Sequence, residues 1–453
     1  MFEGIKTLWR TFEAMFTESD IKRLVGGDVE LTKDLVDGIE LWDDMLKCNA
    51  PWNNRAPSLG IESGICREFA DISINEMEVK VDNEELNVLF QKAIKDLNEN
   101  LQDGLALGSL IIKPMMGGKV EYVTAKDFIP VRFDNDKLID CVLIERKKRG
   151  VSKYFFRTER HQLTDQGLRI ENRAYYSTSP AQLGRQIPLA DIEEWARYPD
   201  EITYPGMDKM DFGFYKNPLK NRIDGTACGV SIYSGTAVDR IRKADIQAAR
   251  YDWEYESGER AVHVDERALK HDKRTGNISM PKLDKRLYRG LNLDVGNGEL
   301  LKEYSPEMRD EAFNRGLESY LRQIEFIVGL AYGDLSDVQY VDKTATEIKV
   351  AKQRKYNRVS AIQENLKTCL EELVDAIAFY NAMYTTGYTF TCTFSDSILT
   401  DEDAERNQDR QDVSMGVQSL AEYRSKWYGE DLETAAANLP EQNGSVLDNL
   451  NLR

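Results

Sequence analysis

Side chains able to carry catalysis are few in this chain, and none falls in a recognisable catalytic spacing. The three histidines, His161, His263 and His271, include no HxxxH pair, the spacing that sets two imidazoles on one helix face for a metal. Six cysteines, at 48, 66, 141, 228, 369 and 392, come no closer than 18 residues. They offer neither a CxxC pair nor zinc-ribbon spacing nor a disulfide framework, and read as buried reduced thiols. Gly296-Asn297-Gly298 supplies two glycines of a dinucleotide loop, but the third is missing and no long helix follows at once. Met116-Gly117-Gly118-Lys119 lacks the earlier glycine and the hydroxyl of a phosphate loop and reads as a hairpin turn. No GxSxG elbow occurs. Asp401-Glu402-Asp403 could hold a cation, yet acids suit the positive end of a helix dipole, so a solvated helix N-terminus is expected there. The sequons at Asn277 and Asn443 carry no weight in a chain expected in a cytosol. No catalytic residue, metal or cofactor is expected.

Charge, by contrast, is distributed unevenly. The net charge is −18, whereas an isolated DNA-reading domain is normally basic, which argues against sequence-specific recognition. Arg260–Gly290 reverses the sign, with nine Lys or Arg against four Asp or Glu and two of the three histidines. That reversal suits a docking surface or a DNA contact, a plain solvated loop being the alternative. Arg267, Lys270, Lys273 and Arg274 are the candidates for docking a partner. A second basic stretch, Lys349, Lys352, Arg354, Lys355 and Arg358, is either a solvated helix face or a contact face.

The elements that would position these charges are mostly helical. The 453 residues, 41% apolar and 30% charged, make a folded chain of two or three domains. Its longest apolar runs, Leu105–Ile112 and Ile324–Tyr332, are core-sized rather than membrane-spanning. Met1–Arg10 lacks a signal-peptide core. Residues 1–108 read as helical, with Val88, Phe90, Ile94, Leu97, Leu101 and Leu105 on one stripe. From Ser109 to Tyr176 the pattern predicts one antiparallel sheet of short strands: 110–113, 119–123, 128–133, 138–146, 154–158 and 168–176. Residues 177–230, with five prolines, read as an extended connection. Tyr233, Ala237, Ile241, Ala244, Ala248, Tyr251 and Tyr255 form one stripe of a long helix. A second helix is expected to start with Ser305 as N-cap and Pro306 in its first turn. Its stripe runs Met308, Phe313, Leu317, Tyr320, Ile324, Ile327 and Ala331. A third helix covers 344–384, striped by Val359, Ile362, Leu366, Leu370, Leu373, Ile377, Tyr380 and Tyr384. Residues 388–394 alternate as a strand expected to rejoin the N-terminal sheet. Capping boxes at Thr400/Asp403 and Ser419/Glu422 predict short helices after it, and the last dozen residues read as disordered.

Helix, basic insert, helix, loop, helix is an order that resembles the portal proteins of tailed bacteriophages. Gly229–Ile241 resembles that family's approach to its first stem helix. Lys343-Thr344-Ala345-Thr346-Glu347-Ile348 resembles the helix start after its tunnel loop. Phe394–Glu405 resembles its late strand-to-helix junction, and Gly416–Arg424 the helix-turn-helix that follows. The nearest likeness is to long-tailed phages of Gram-positive bacteria, including the Listeria-phage type. The resemblance implies an α+β, mainly helical fold with an antiparallel sheet in the wing. It assigns 1–230 to the wing, 231–258 and 305–332 to stem helices, and 259–304 to a clip. Residues 333–343 become a tunnel loop, 344–399 a long helix and returning wing strand, and 400–453 a short crown.

The implied function is a ring of twelve copies at one capsid vertex of the virion, assembled in the bacterial host cytoplasm. Double-stranded DNA passes through it without sequence recognition, while terminase and then a head-tail adaptor dock on the clip. Major capsid and scaffolding proteins are further partners, no membrane is involved, and the subunit hydrolyses nothing. Lys343, Lys349, Lys352 and Lys355 are the candidates for facing DNA; pairing with acidic residues of a neighbouring copy is the equal alternative. A ring-forming scaffold or adaptor that conducts no DNA is the rival expectation. More remote is an enzyme, such as a capsid-associated protease or nuclease, with scattered site residues.

Overall fold

A computed structural model describes residues 18–27, 29–75, 77–115, 118–265, 270–271, 278–279, 288–291, 301–337, 345–385, 387–394 and 402–439. The chain is of mixed α+β class. Its N-terminal helices are α1 (Glu18–Val25), α2 (Lys33–Leu46) and α3 (Ile61–Asn75), followed by strand β1 (Met77–Val81). Thr32 caps α2 by accepting from the Leu35 N–H at 3.3 Å. The expected single helix through Leu105 is two: α4 (Glu84–Ala93), capped by Asn83, and α5 (Leu97–Leu107). The break lets Phe90 meet Phe390 edge-to-face at 5.7 Å, while α5 packs on α3. Val88, on the proposed stripe, is 68% exposed. Helix α5 ends at Gly108, with φ 97°; a Cβ there would lie 2.7 Å from the Gly229 backbone, so only glycine permits this crossing.

All six strands expected between 109 and 177 form: β2 (Ser109–Met115), β3 (Lys119–Thr124), β4 (Phe128–Asp134), β5 (Lys137–Arg149), β6 (Lys153–Thr164) and β7 (Gly167–Ser177). They divide between two sheets rather than sharing one. Residues 177–230 are also more than a connection, since they contribute β8 (Arg185–Ile187), β9 (Glu201–Tyr204) and β10 (Gly213–Lys216). One sheet has the order β10-β2-β3; the other runs β4-β5-β6-β7-β8, with β9 also on β7. Phe214 of β10 packs edge-to-face on Phe128 of β4, centroids 6.2 Å apart. Asn217 fixes the chain after β10 by donating to the carbonyls of Leu105 (2.8 Å) and Val230 (2.9 Å).

Helix α6 (Thr236–Gly258) and α7 (Asp310–Val328) form an antiparallel pair. Gln247 donates to the Phe313 carbonyl at 3.1 Å. Gly316 sits against the same side chain, where a Cβ would come within 2.9 Å. The expected cap at Ser305 is not used: Arg309 is the N-cap of α7. Glu254 of α6 decides this, accepting the Arg309 backbone N–H at 3.1 Å and its guanidinium at 3.0 and 2.6 Å. At the far end of the pair, β11 (Ala261–Asp265) lies between β14 (Tyr288–Leu291) and β15 (Leu301–Tyr304). The β11–β14 ladder is parallel and β11–β15 antiparallel. Strands β12 (Lys270–His271) and β13 (Ile278–Ser279) pair separately.

Helix α8 (Ala345–Tyr380) is the longest. Its stripe is buried from Val359 through Ile377, each large aliphatic contributing roughly 1.5–3 kcal/mol by leaving water. The strand after it, β16 (Phe390–Phe394), pairs with β1 alone, Val81 opposite Phe390. It therefore does not rejoin the large sheet. Helices α9 (Glu402–Ser414), α10 (Leu420–Tyr428) and α11 (Leu432–Ala437) follow. The Ser419/Glu422 capping box forms as expected; Thr400 and the last dozen residues lie outside the described residues. One core cluster runs from the N-terminal helices through both sheets to α8.

Candidate functional site: the helix pair, its loop and the basic face

The geometry around the end of α7 begins with a buried acid. Glu325, 2% exposed, points one carboxylate oxygen at three backbone N–H groups: Gly333 (3.1 Å), Leu335 (2.7 Å) and Ser336 (2.8 Å). Its other oxygen accepts the Ser336 hydroxyl at 3.1 Å. Helix α7 closes on Gly329 in the left-handed region, and Asp334 accepts from the Ala331 N–H at 2.9 Å. The first residues of the expected tunnel loop are thus fixed to the helix rather than hanging from it.

This anchoring reaches the basic face of α8. Lys355 Nζ lies 2.6 Å from Glu68 of α3 and 3.1 Å from Asp334. Burial disfavours its charge, but those two carboxylates outweigh burial and hold the ammonium above the usual lysine range. Lys355, expected to face DNA, is instead a strut between α8, α3 and the loop of its own chain. Arg354 stacks its guanidinium over Phe326 of α7, 4.6 Å from the ring centroid. Lys352 is exposed on the same helix. Lys349 belongs to α8, but its side chain lies outside the described residues, as does all of Lys343. Among the docking candidates, Lys270 falls in β12; Arg267, Lys273 and Arg274 lie outside the described residues.

Sequence reasoning missed a buried polar chain that joins the two sheets to α8. Lys113 of β2 meets Glu159 of β6 at 2.6 Å. Arg157 holds the other Glu159 oxygen at 2.8 Å and Glu145 at 2.9 Å. His161, fully buried, lies 3.1 Å from Glu159 and 2.7 Å from Asp211. The Tyr380 hydroxyl of α8 donates to Asp211 at 2.5 Å. Burial opposes a charged imidazole, yet Asp211 and Glu159 prevail and raise His161 to about 9. The imidazole is paired on both nitrogens and shut from solvent, while Glu145, Arg157 and Glu159 of the same network also line a cavity of about 510 Å³. Only the scarcity of histidine pointed towards this network in the sequence.

Among the described residues, no group of His, Cys, Asp and Glu is arranged to hold a metal ion. No described helix is long and apolar enough to cross a membrane. Five cysteines are buried and reduced as expected; Cys48 is exposed. No protein-family model matches the chain, and no curated protein is significantly similar to it.

Proposed function

We propose that this chain is a portal subunit of a tailed bacteriophage: about twelve copies close into a ring at one capsid vertex, and double-stranded DNA passes through it during packaging and ejection. The observation that carries the reading is the α6–α7 pair. It stands between a helix-and-sheet body and a small distal sheet, and it keeps Trp253 and Phe326 unburied on its outer sides. Portal wing, stem and clip would occur in that order. Terminase and later an adaptor would dock on the distal sheet, and the subunit itself would hydrolyse nothing. A net charge of −18 per copy suits a conduit, because an acidic wall repels phosphates and keeps the duplex from adhering. A few exposed cations such as Lys352 would steady it through salt-sensitive contacts.

Negative-stain imaging of the purified full chain tests this. Closed rings with a central hole wide enough for a duplex are expected. Closed assemblies without such a hole would favour the non-conducting scaffold instead. A strict monomer at high concentration, or DNA hydrolysis by the pure protein, would overturn the proposal.

A further inference from the structure

We infer that the two outer sides of the α6–α7 pair form one head-to-tail contact between successive copies of this chain, with the Trp253 edge of one copy seated on the Arg322–Phe326 hollow of the next. The inference rests on the ring reading above. A ring built from identical subunits needs two different, mutually complementary patches on each copy, whereas a two-fold dimer needs only one self-complementary patch. The helix pair has two such patches.

On one side, a groove of about 700 Å³ is lined by Pro51, Trp52, Ile246, Ala249, Arg250 and Trp253. On the other, a hollow of about 480 Å³ is lined by Arg240, Ser319, Arg322, Gln323, Phe326 and Ile327. Trp253 and Phe326 are each 65% exposed in the single chain. At 3.6 residues per turn, the 13 positions from Arg240 to Trp253 set them roughly 140° apart around α6 and about 20 Å apart along it. The two patches therefore face different neighbours, and the contact requires the helix pair to incline to the ring axis so that they meet at one height.

Their chemistry is complementary. Arg322 keeps 33% of its side chain exposed in the hollow, although two of its guanidinium nitrogens are covered without a hydrogen-bond partner among the described residues; it lies over the Tyr332 ring at 5.5 Å and 4.0 Å from Glu318. Arg240 meets Asp239 at 3.7 Å, an acid that also pairs with Arg242 and Lys243. Asp252 and Glu256, both exposed, flank Trp253 on α6. Seating that edge in the hollow gives the arginines carboxylate acceptors and lays an indole against a guanidinium. Arg55, Arg242 and Arg250 also line the first groove, so the pairing belongs to its Asp252–Glu256 edge and not to its floor.

The test is site-directed crosslinking in a Cys48→Ser background, with cysteines at rim positions that leave both aromatic anchors and Arg322 in place. The full-length Ser257→Cys/Gln323→Cys double variant, treated with a short bismaleimide, should give a ladder of multimers on denaturing gels. Each single variant should stay monomeric on the gel. Arg322→Glu should lower ring yield at least tenfold with unchanged circular dichroism, and adding Asp252→Arg with Glu256→Arg should restore it. A dimer from either single variant would indicate a two-fold contact and overturn the inference. Rings on the grid without a ladder, or unaffected by Arg322→Glu, would overturn this contact while leaving the ring standing. No assembly of the unmodified chain would overturn both.

Discussion

Replacing Glu62 by glutamine is expected to stabilise the protein increasingly as pH rises from 5 to 8. Glu62 is 1% exposed on α3, and one of its oxygens has no hydrogen-bond partner. Asp245 of α6 stands near it and is itself fully engaged, accepting from Trp52 Nε1 (2.8 Å), Asn53 Nδ2 (3.3 Å) and the Leu59 N–H (2.9 Å). Cys66 on α3 and Tyr233 before α6 also feel Glu62, and neither supplies a positive charge. Burial first, then Asp245, push the Glu62 carboxyl from 4.5 to about 7. Between those values the folded state keeps a proton that the unfolded state has released, so stability falls as pH rises through the window and levels off above it. At 1.36 kcal/mol per pKa unit, the rise to about 7 costs about 3 kcal/mol by pH 8. Glutamine removes the titration, and any change in its own hydrogen bonding adds an offset that does not vary with pH. Groups that titrate in both proteins, such as Glu372, cancel in the difference. A chain of this length need not unfold in one step, so hydrogen exchange of α3 and α6 peptides is the preferred readout. A variant-minus-parent difference flat to within about 0.5 kcal/mol from pH 5 to 8, the usual scatter of independent effects, refutes the reasoning.

Three further outcomes concern the loop and the basic face, and a fourth the buried histidine. Glu325→Gln should weaken the fixation of residues 333–336 by roughly 2–4 kcal/mol, since a charged acceptor shared by three N–H groups is replaced by a neutral amide; those amides should exchange faster while β5–β7 stay unchanged. Lys355→Met should destabilise the α3–α8 joint, leaving Glu68 and Asp334 without their shared cation, and, if the proposed rings form and bind DNA, should leave the salt dependence of that binding unaltered. Lys352→Ala should lower that salt slope by up to about 0.9 for each phosphate no longer neutralised, with unchanged thermal stability. His161→Phe leaves buried Asp211 with the Tyr380 hydroxyl but without its cation and should cost roughly 3–5 kcal/mol. In the parent protein His161 is raised from 6.5 to about 9, so its stabilisation is complete below pH 6.5 and is lost as pH climbs through 9. An imidazole NMR titration midpoint near 6.5 would contradict that.

What could be read in the sequence follows the range of the interaction involved. Strands β2 to β7 and the buried stripe of α8 were legible because alternation, turn residues and helical period are local properties. The Ser419/Glu422 box was legible for the same reason. Sheet membership was not, because nothing within β3 or β4 states that the ladder stops between them. Ser305 and Pro306 had the local signature of a helix start, but Glu254, 55 residues from Arg309 in sequence, moved that start to Asp310. Lys355 illustrates the same limit at the candidate site. Its local company was basic and sparse in apolar residues, which suits a contact face, while its actual partners are Glu68, 287 positions away, and Asp334.

These long-range pairings also divide the molecule by how complete it is. In the body, one buried network is satisfied within the chain: Lys113, Arg157 and His161 share Glu159, and Tyr380 closes the path on Asp211. Such a network holds the sheets and α8 in one arrangement, because any member removed leaves a buried charge behind. Along the helix pair the apolar covering is less complete. The α6 stripe is buried at Ala237, Ile241 and Ala244 but only partly covered at Ala248 and Tyr251, with Tyr255 exposed. A helix draws most of its stability from packing its apolar face, and here α7 covers only part of it. A body held by such a network and joined to a partly covered helix pair is what the proposed ring would need, its scaffold set before assembly and its contacts completed by the next copy.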